Sequence, residues 1–307
     1  MRTNFHELKS MKNLSLLLCF LSFSSMAQQV ADTLYNPVIN NPAYTQAGGP
    51  VILLDEAHHN FHTANGRFKA FAHVLRKDGY VVNASTEAFT NEQLDKAKIL
   101  VIANALHSSN TQKWTLPNPS AFTDAEIEVV NNWVRSGGSL FLIADHMPFP
   151  GAAEKLAASF GFKFYNGFAI KKGGKDIFSP GKGLMENTIT QGRNEKEKIT
   201  SLQTFTGQAF EIPPGAQPVV VLNSSYQIKM PQTAWEFKKD TPAISGDKLV
   251  QGAYTKFGKG RVVVFGEAAM FTAQLQGKNK MGMNTKSASQ NAQFLLNTIH
   301  WLDGILD

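Results

Sequence analysis

Short apolar runs recur along this chain, and the segments between them are long enough to form helices. The runs have the length of buried strands: VILLD at 51–55, YVVNA at 80–84, ILVIA at 99–103, LFLIA at 140–144 and RVVVF at 261–265. Helical patterns fall near 66–77, 90–96, 123–136, 152–160 and 289–302. Apolar strands alternating with amphipathic helices are typical of a parallel sheet covered on both faces. Because crossover connections are right-handed, the sequence predicts an α/β fold with a doubly wound, mostly parallel sheet.

The rest of the chain suggests one main domain that is preceded by a leader and contains an insertion. Residues 28–49 are polar, contain Asn-Pro twice and are expected to form an extended leader. Residues 50–307 are expected to form a single domain. Within it, residues 167–217 are rich in Gly, Lys, Asn and Thr and have weak periodicity. We therefore predict an insertion or lid there, built from short strands.

The N-terminus has the pattern of an export signal. Lys12 precedes the apolar run 14–23, and Ser-Met-Ala ending at Ala27 provides small residues for cleavage. Residues 1–27 are therefore predicted to be a signal peptide, with Met11 as an alternative start. The apolar run is too short for a comfortable membrane span, so no permanent anchor is expected. The predicted location is periplasmic or secreted.

Charge and cysteine content exclude several classes of function. Loss of Arg2, Lys9, Lys12 and Glu7 with the leader changes the net charge from +6 to +4. No dense block of basic and aromatic residues appears, so a nucleic-acid partner is not expected. The single Cys lies at position 19, within the leader. The mature chain would then have neither a disulfide nor a cysteine nucleophile.

Polar residues that suit catalysis follow several of the predicted strands. Asp55 ends the first strand, Asp145 and His146 follow the fourth, and Glu267 follows the 261–265 strand. In an open α/β sheet the ligand binds at the carboxyl ends of the strands. The sequence therefore predicts one cleft lined by histidines and carboxylates, with Asp145, His146 and Glu267 as catalytic acid or base candidates.

A metal site is a second interpretation of the same cleft. His58 and His62 have the spacing of two ligands on one helical face, and Asp55 is close in sequence. These three residues, and also Asp145, are candidate ligands for a divalent ion such as zinc, manganese or iron. The alternative is that the histidines cap turns, that Asp145 caps the next helix and that Glu267 pairs with a buried cation. The residues alone do not separate metal-dependent from metal-free acid/base chemistry.

Three segments resemble the class I glutamine amidotransferase-like superfamily, whose fold is flavodoxin-like. The opening strand with Asp55 resembles the start of that fold, and 137–146 (GGSLFLIADH) resembles its central strand and the following turn. The segment 258–267 (GKGRVVVFGE), followed by 291–302, is similar to an uncharacterised bacterial branch. That branch is related to ThuA-like proteins and to the GIFT domain of intraflagellar-transport proteins. The resemblance extends over residues 51–302.

The resemblance implies the fold and restricts the function. Working amidotransferases have a nucleophilic Cys after the central strand, whereas Asp145 and His146 stand there in this chain. Glutaminase activity is therefore not expected. The ThuA-like relatives are associated with sugar utilisation, and His146 matches a His near their turn. We expect a hydrolase acting on a carbohydrate or glycoconjugate. The alternatives are a non-catalytic sugar- or peptide-binding module and a cell-envelope assembly component.

Overall fold

The computed structural model describes residues 29–307, so the predicted signal peptide lies outside the described residues. Six α-helices are present in this part: α1 Lys69–Lys77, α2 Asn91–Leu94, α3 Asp124–Ser136, α4 Phe149–Ser159, α5 Thr188–Gln191 and α6 Asn291–Asp303. The first nine strands are β1 Gln29–Ala31, β2 Val51–Asp55, β3 Val81–Ser85, β4 Ile99–Ala103, β5 Ser139–Ile143, β6 Lys163–Phe164, β7 Phe168–Lys171, β8 Asp176–Pro180 and β9 Gly183–Leu184. The remaining strands are β10 Leu202–Thr204, β11 Phe210–Glu211, β12 Gln217–Val221, β13 Tyr226–Lys229, β14 Ala243–Ser245, β15 Val250–Phe257, β16 Gly260–Phe265, β17 Ala273–Gln276 and β18 Asn279–Gly282.

The centre of the molecule is a doubly wound parallel sheet. Strands β3, β2, β4, β5 and β16 lie side by side in that order, and every neighbouring pair among them is parallel. The chain moves from β2 to β3 on one side and then crosses to β4 on the other. The sheet thus has its switch point between β2 and β4, where α/β proteins bind their ligands. The predicted fold class is confirmed.

An antiparallel half extends this sheet beyond β16. Strand β15 pairs with β16, β12 pairs with β15, and β9, β8 and β10 continue to the edge. Two small three-stranded sheets, β1-β17-β18 and β14-β13-β7, are separate from it. Residues 167–217 contain short strands, and several of these strands belong to the main sheet.

The core lies on both faces of the sheet because successive strand residues point to opposite sides. Ile52 and Leu54 belong to one apolar cluster, together with the buried residues of α1 and α6. Leu53 belongs to the other cluster, which includes Val130 of α3 and Leu156 of α4. The central strands β2, β4 and β5 are almost entirely apolar because both of their faces are covered, whereas Asn83 and Ala84 of the edge strand β3 are exposed.

Local sequence signals place most helix boundaries. Thr123 and Glu126 form the predicted capping box of α3, and Gly137 ends that helix at φ +129°. Two helices begin three residues away from their predicted starts. Helix α1 begins three residues later, because 63–68 form turns, and α4 begins three residues earlier, with Pro150 in its first turn. In residues 29–307, no helix has both the length and the apolar character needed to cross a bilayer.

Candidate functional site

A cavity of about 340 Å³ lies at the carboxyl ends of the parallel strands. Its polar wall comes from three neighbouring strands: His62 and Arg67 follow β2, Asn104 follows β4, and Asp145 and His146 follow β5. The rest of the wall includes four aromatic side chains, Phe61, Phe149, Phe205 and Trp235, together with Gln29, Thr206, Ala269, Gln274 and Met281. An apolar cavity with a few convergent polar groups at a switch point is the usual form of a small-molecule site.

His146 presents one open nitrogen at this cavity. Its Nδ1 lies 2.8 Å from the carbonyl oxygen of Met147, so Nδ1 carries the proton and donates it. Its Nε2 is therefore the acceptor in the neutral ring, and it has no hydrogen-bond partner among residues 29–307. The ring stacks on Phe168 with centroids 4.6 Å apart and meets the edge of Trp235 at 4.7 Å. Both the tautomer and the orientation of His146 are thus fixed.

Asp145 is a buried carboxyl group on the cavity wall. Its Oδ1 accepts the backbone N–H of His146 at 2.7 Å, and its Oδ2 accepts that of Ala268 at 3.4 Å. Burial raises the pKa of Asp145, although the charge of His146 and the two N–H donors oppose this. A carboxyl group whose pKa is raised by burial is suited to donate a proton.

Glu267 differs from its predicted position in the cleft. It is fully buried and does not line the cavity. Its two carboxyl oxygens accept the backbone N–H groups of Ala269 and Met270 at 2.7 and 2.8 Å. Burial, with the charge of Asp145, raises the pKa of Glu267 well above its ordinary value. Glu267 therefore shapes the turn at 267–270, whose Ala268 N–H reaches Asp145, and does not face a substrate.

Asn104 joins two parts of the polar wall. Its Oδ1 accepts the backbone N–H of Asp145 at 2.8 Å, and its Nδ2 donates to Nδ1 of His62 at 3.1 Å. Burial lowers the pKa of His62 to about 3, and the charges of Arg67 and His146 add to this effect. His62 is therefore neutral and carries its proton on Nε2. That N–H has no acceptor among residues 29–307 and is free to bind a ligand.

Strained backbone is concentrated at the same cavity. In the described chain six non-glycine residues have positive φ, and three of them line this cavity: Asn104 at +51°, Thr206 at +84° and Trp235 at +69°. Positive φ is costly for a β-branched residue or a Trp, and such strain persists at sites where function holds it. The strained residues thus point to the same site as the strand ends.

Asp55 and His58 form a different buried cluster. His58 lies between two carboxylates: its Nδ1 is 2.9 Å from Asp55 Oδ1, and its Nε2 is 2.9 Å from Glu126 Oε1. The ring packs between Phe89 and Phe122. Burial alone would lower the pKa of His58, but the hydrogen bonds and charges of the two carboxylates raise it. His58 is thus a cationic link between the loop after β2 and helix α3.

The metal site predicted from Asp55, His58 and His62 does not form. Residues 56–68 are turns, not a helix, so the spacing of the two histidines does not place them on one face. Both ring nitrogens of His58 are already bound to carboxylates, whereas His62 binds Asn104. Across residues 29–307, no group of three or more His, Cys, Asp or Glu side chains is arranged to hold a metal ion.

A larger hollow lies elsewhere on the surface. This open groove, of about 630 Å³, is bordered by Tyr254, Lys256, Trp301 and the C-terminal Asp307. It lies near the amino end of β16, which pairs there with Lys256, and so at the opposite edge of the sheet. Its wall has no buried acid or histidine. The smaller cavity is therefore the better candidate, since its chemistry and its place in the fold agree.

The sequence placed His62, Asp145 and His146 in one cleft, and the structure adds further residues to the cavity wall, among them Asn104, Arg67, Thr206 and Trp235. Asn104 was recognisable, because it directly follows the fully apolar strand β4. Arg67 follows the histidine-rich loop by a few residues. Thr206 and Trp235 come from loops between short strands, and no local pattern placed them near the parallel sheet.

The comparison with known proteins identifies a fold but does not identify a family. No protein-family model matches the sequence, and no curated protein matches it. The structure is similar to a domain described as "mmIFT52 N-terminal domain", with a TM-score of 0.58 and 17% identity over 82% of this chain and 97% of that domain. At this identity the likeness shows the fold alone.

Two further solved structures are more distant. One is described as a ThuA-like protein from Bacteroides uniformis (TM-score 0.44, 12% identity, 87% of this chain and 94% of that one). The other is described as a GMP synthase component from Thermoplasma acidophilum (TM-score 0.45, 12% identity, 83% of this chain and 94% of that one). At these TM-scores neither likeness supports a conclusion about this chain.

Proposed function

We propose that this protein is a hydrolase that acts on a carbohydrate or glycoconjugate in the cavity at the carboxyl ends of β2, β4 and β5. One observation carries the proposal: His146 is held with its Nε2 open toward ligand, and the buried acid Asp145 is beside it on the same wall. Hydrolysis of a glycosidic bond needs a general acid that protonates the leaving oxygen and a general base that activates water.

The two residues have complementary roles in this proposal. Asp145, whose pKa is raised by burial, gives its proton to the oxygen of the leaving group. Nε2 of His146 takes a proton from water, and the water oxygen bonds to the anomeric carbon as the glycosidic C–O bond breaks. Proton exchange with solvent then restores both groups. His62 and Asn104 orient the sugar hydroxyls, and Glu267 holds the turn that supports Asp145.

The aromatic wall supports a sugar as the substrate. The rings of Phe61, Phe149 and Trp235 line the cavity together with the polar groups named above. Aromatic rings offer an apolar surface that the C–H face of a sugar ring can cover, while nearby polar groups bind the hydroxyls. Trp235 is 52% exposed at the rim, so its ring is available to a ligand.

Release of p-nitrophenol from a panel of p-nitrophenyl glycosides, neutral and acidic, tests the proposal between pH 5 and 8. We expect turnover by the wild type and a loss of at least about 100-fold in His146→Gln and in Asp145→Asn. The control is His73→Gln, because His73 lies on α1 and bonds only Asn36. Undiminished turnover in His146→Gln would exclude the proposed mechanism.

A non-catalytic sugar-binding module is the second candidate. The exposed Trp235 ring favours it, because stacking on this ring would bind a sugar without any chemistry. Binding of glycosides without hydrolysis of any member of the panel would support this candidate over the first.

We further propose that the protein works outside the cytoplasm. The basic and apolar pattern of residues 12–27 supports export. N-terminal sequencing of protein recovered from the periplasm or the medium should show a chain that begins at Gln28. A mature protein that retains residues 14–23 would contradict cleavage.

A further inference from the structure

Arg67 is a cation that the described structure leaves without an anionic partner. It lies in the loop after β2 and lines the cavity. Within residues 29–307 no carboxylate lies within 4.0 Å of its guanidinium nitrogens, and its buried Nε has no hydrogen-bond acceptor. A half-buried arginine usually has such partners, because removing its charge from water costs free energy.

The guanidinium group is nevertheless held in one position. Its central carbon lies 3.9 Å from the ring centroid of Phe61, which is the distance of a cation–π contact. Phe61 in turn packs against Trp114 and Phe149. This stack fixes the plane of the guanidinium group without using its terminal N–H donors, so these donors remain available to a ligand.

Arg67 carries the main fixed charge among the residues that line the cavity. Among the lining residues the other titratable groups are His62, His146 and Asp145. His62 is neutral, and both oxygens of Asp145 are bound by backbone N–H groups.

We propose that Arg67 binds an anionic group of the substrate, so that the cavity takes an acidic sugar in preference to a neutral one. The inference rests on the proposed function, because it names the class of carbohydrate that the same site accepts. The flat guanidinium group presents two parallel N–H donors, which match two oxygens of a carboxylate. A sulfate ester offers the same two-oxygen edge, so a uronic acid and a sulfated sugar share this chemistry.

Calorimetric titration with methyl β-glucuronide and methyl β-glucoside tests the inference, since these probes share the ring and differ in one charge. We expect the wild type to bind the glucuronide at least about tenfold more tightly, as a hydrogen bond to a charged group implies. Arg67→Gln should lose this preference, and Arg67→Lys should keep part of it. A third probe, methyl glucoside 6-sulfate, decides between the two anions by its affinity relative to the glucuronide.

The matched control is Arg76→Gln, because Arg76 lies on α1 and bonds the carbonyl of Val82 away from the cavity. It should retain the preference for the acid. Equal affinity of the wild type for the acidic and neutral probes overturns the inference. An undiminished preference for the acid in Arg67→Gln also overturns it, and so does failure of the wild type to bind any of the probes. Hydrolysis of neutral glycosides with no acid preference overturns only the role of Arg67. Tight acid binding without any hydrolysis supports Arg67 and contradicts the proposed catalysis.

Discussion

The substitution His58→Gln distinguishes a structural role for this histidine from a role as a metal ligand. His58 bridges the fully buried Asp55 and the nearly buried Glu126, with a distance of 2.9 Å on each side. Removing one partner of such a buried cluster costs about 3–5 kcal/mol, because the remaining charges lose their compensation. In the variant Asp55 keeps the hydrogen bonds that the Asn60 side chain and the Ala57 backbone N–H donate to it. We therefore expect a cost at the lower end of the range of about 3–5 kcal/mol.

The loss of packing adds to the electrostatic cost. The His58 ring lies 4.6 Å from the Phe89 ring and 4.7 Å from the Phe122 ring, and such contacts contribute about 0.5–1.5 kcal/mol. The expected total is about 4 kcal/mol in the free energy of unfolding. At roughly 2 °C per kcal/mol for a chain of this size, the midpoint of thermal unfolding should fall by roughly 8 °C.

The effect must also depend on pH. Burial opposes the charge on His58, but Asp55 and Glu126 outweigh it, so the folded-state pKa is raised above 6.5. The stability from the protonated ring is therefore complete below pH 6.5 and is lost as the pH rises through the folded-state pKa. The difference between wild type and His58→Gln should be larger at pH 6 than at pH 9.

Thermal unfolding followed by circular dichroism at both pH values measures this difference, with His73→Gln as the control. A loss below about 1 kcal/mol would refute the structural role, because it would lie in the range of a surface substitution. A loss that is equal at pH 6 and pH 9 would refute the charged bridge. Loss of activity that zinc restores would show that the metal interpretation was correct.

Three further predictions concern the cavity wall. The free energy of unfolding should shift in favour of Asp145→Asn over wild type as the pH rises above about 4, because the folded state stabilises protonated Asp145 and this stability is lost as the pH rises through the raised pKa; a difference that does not change with pH in urea titrations would contradict this. Asn104→Gly should be more stable to urea than Asn104→Ala by about 1–2 kcal/mol, because only glycine accepts φ +51° freely; equal stabilities would show that the strain is absent. Trp235→Ala should weaken glycoside binding at least about tenfold but change stability by less than about 1 kcal/mol, because its ring is half exposed; unchanged affinity in calorimetry would remove Trp235 from the site.

The parallel half of the fold was predictable because its signals are local. The strands β2, β4 and β5 are runs of apolar residues, and the Thr123 capping box marks the start of α3 within four residues of sequence. The rule that ligands bind at the carboxyl ends of strands then placed Asp145 and His146 on one edge. Each of these steps needs only neighbouring residues or a general property of the fold.

The remaining features depend on contacts between distant residues. His58 binds Glu126, which is 68 positions away, and this bond changes a predicted metal ligand into a structural cation. Thr206 and Trp235 reach the cavity from loops of the antiparallel half, whose strands are short and weakly patterned. The environment of Glu267 likewise becomes visible only when its two bonds to the following turn are known.

A crystal structure of Asp145→Asn with p-nitrophenyl β-glucuronide tests most directly whether the cavity is the functional site. We expect the sugar ring against Trp235, its carboxylate on Arg67, and its glycosidic oxygen facing residues 145 and 146. A glycoside bound instead in the groove beside Tyr254 and Trp301, with the cavity holding only water, would contradict this assignment.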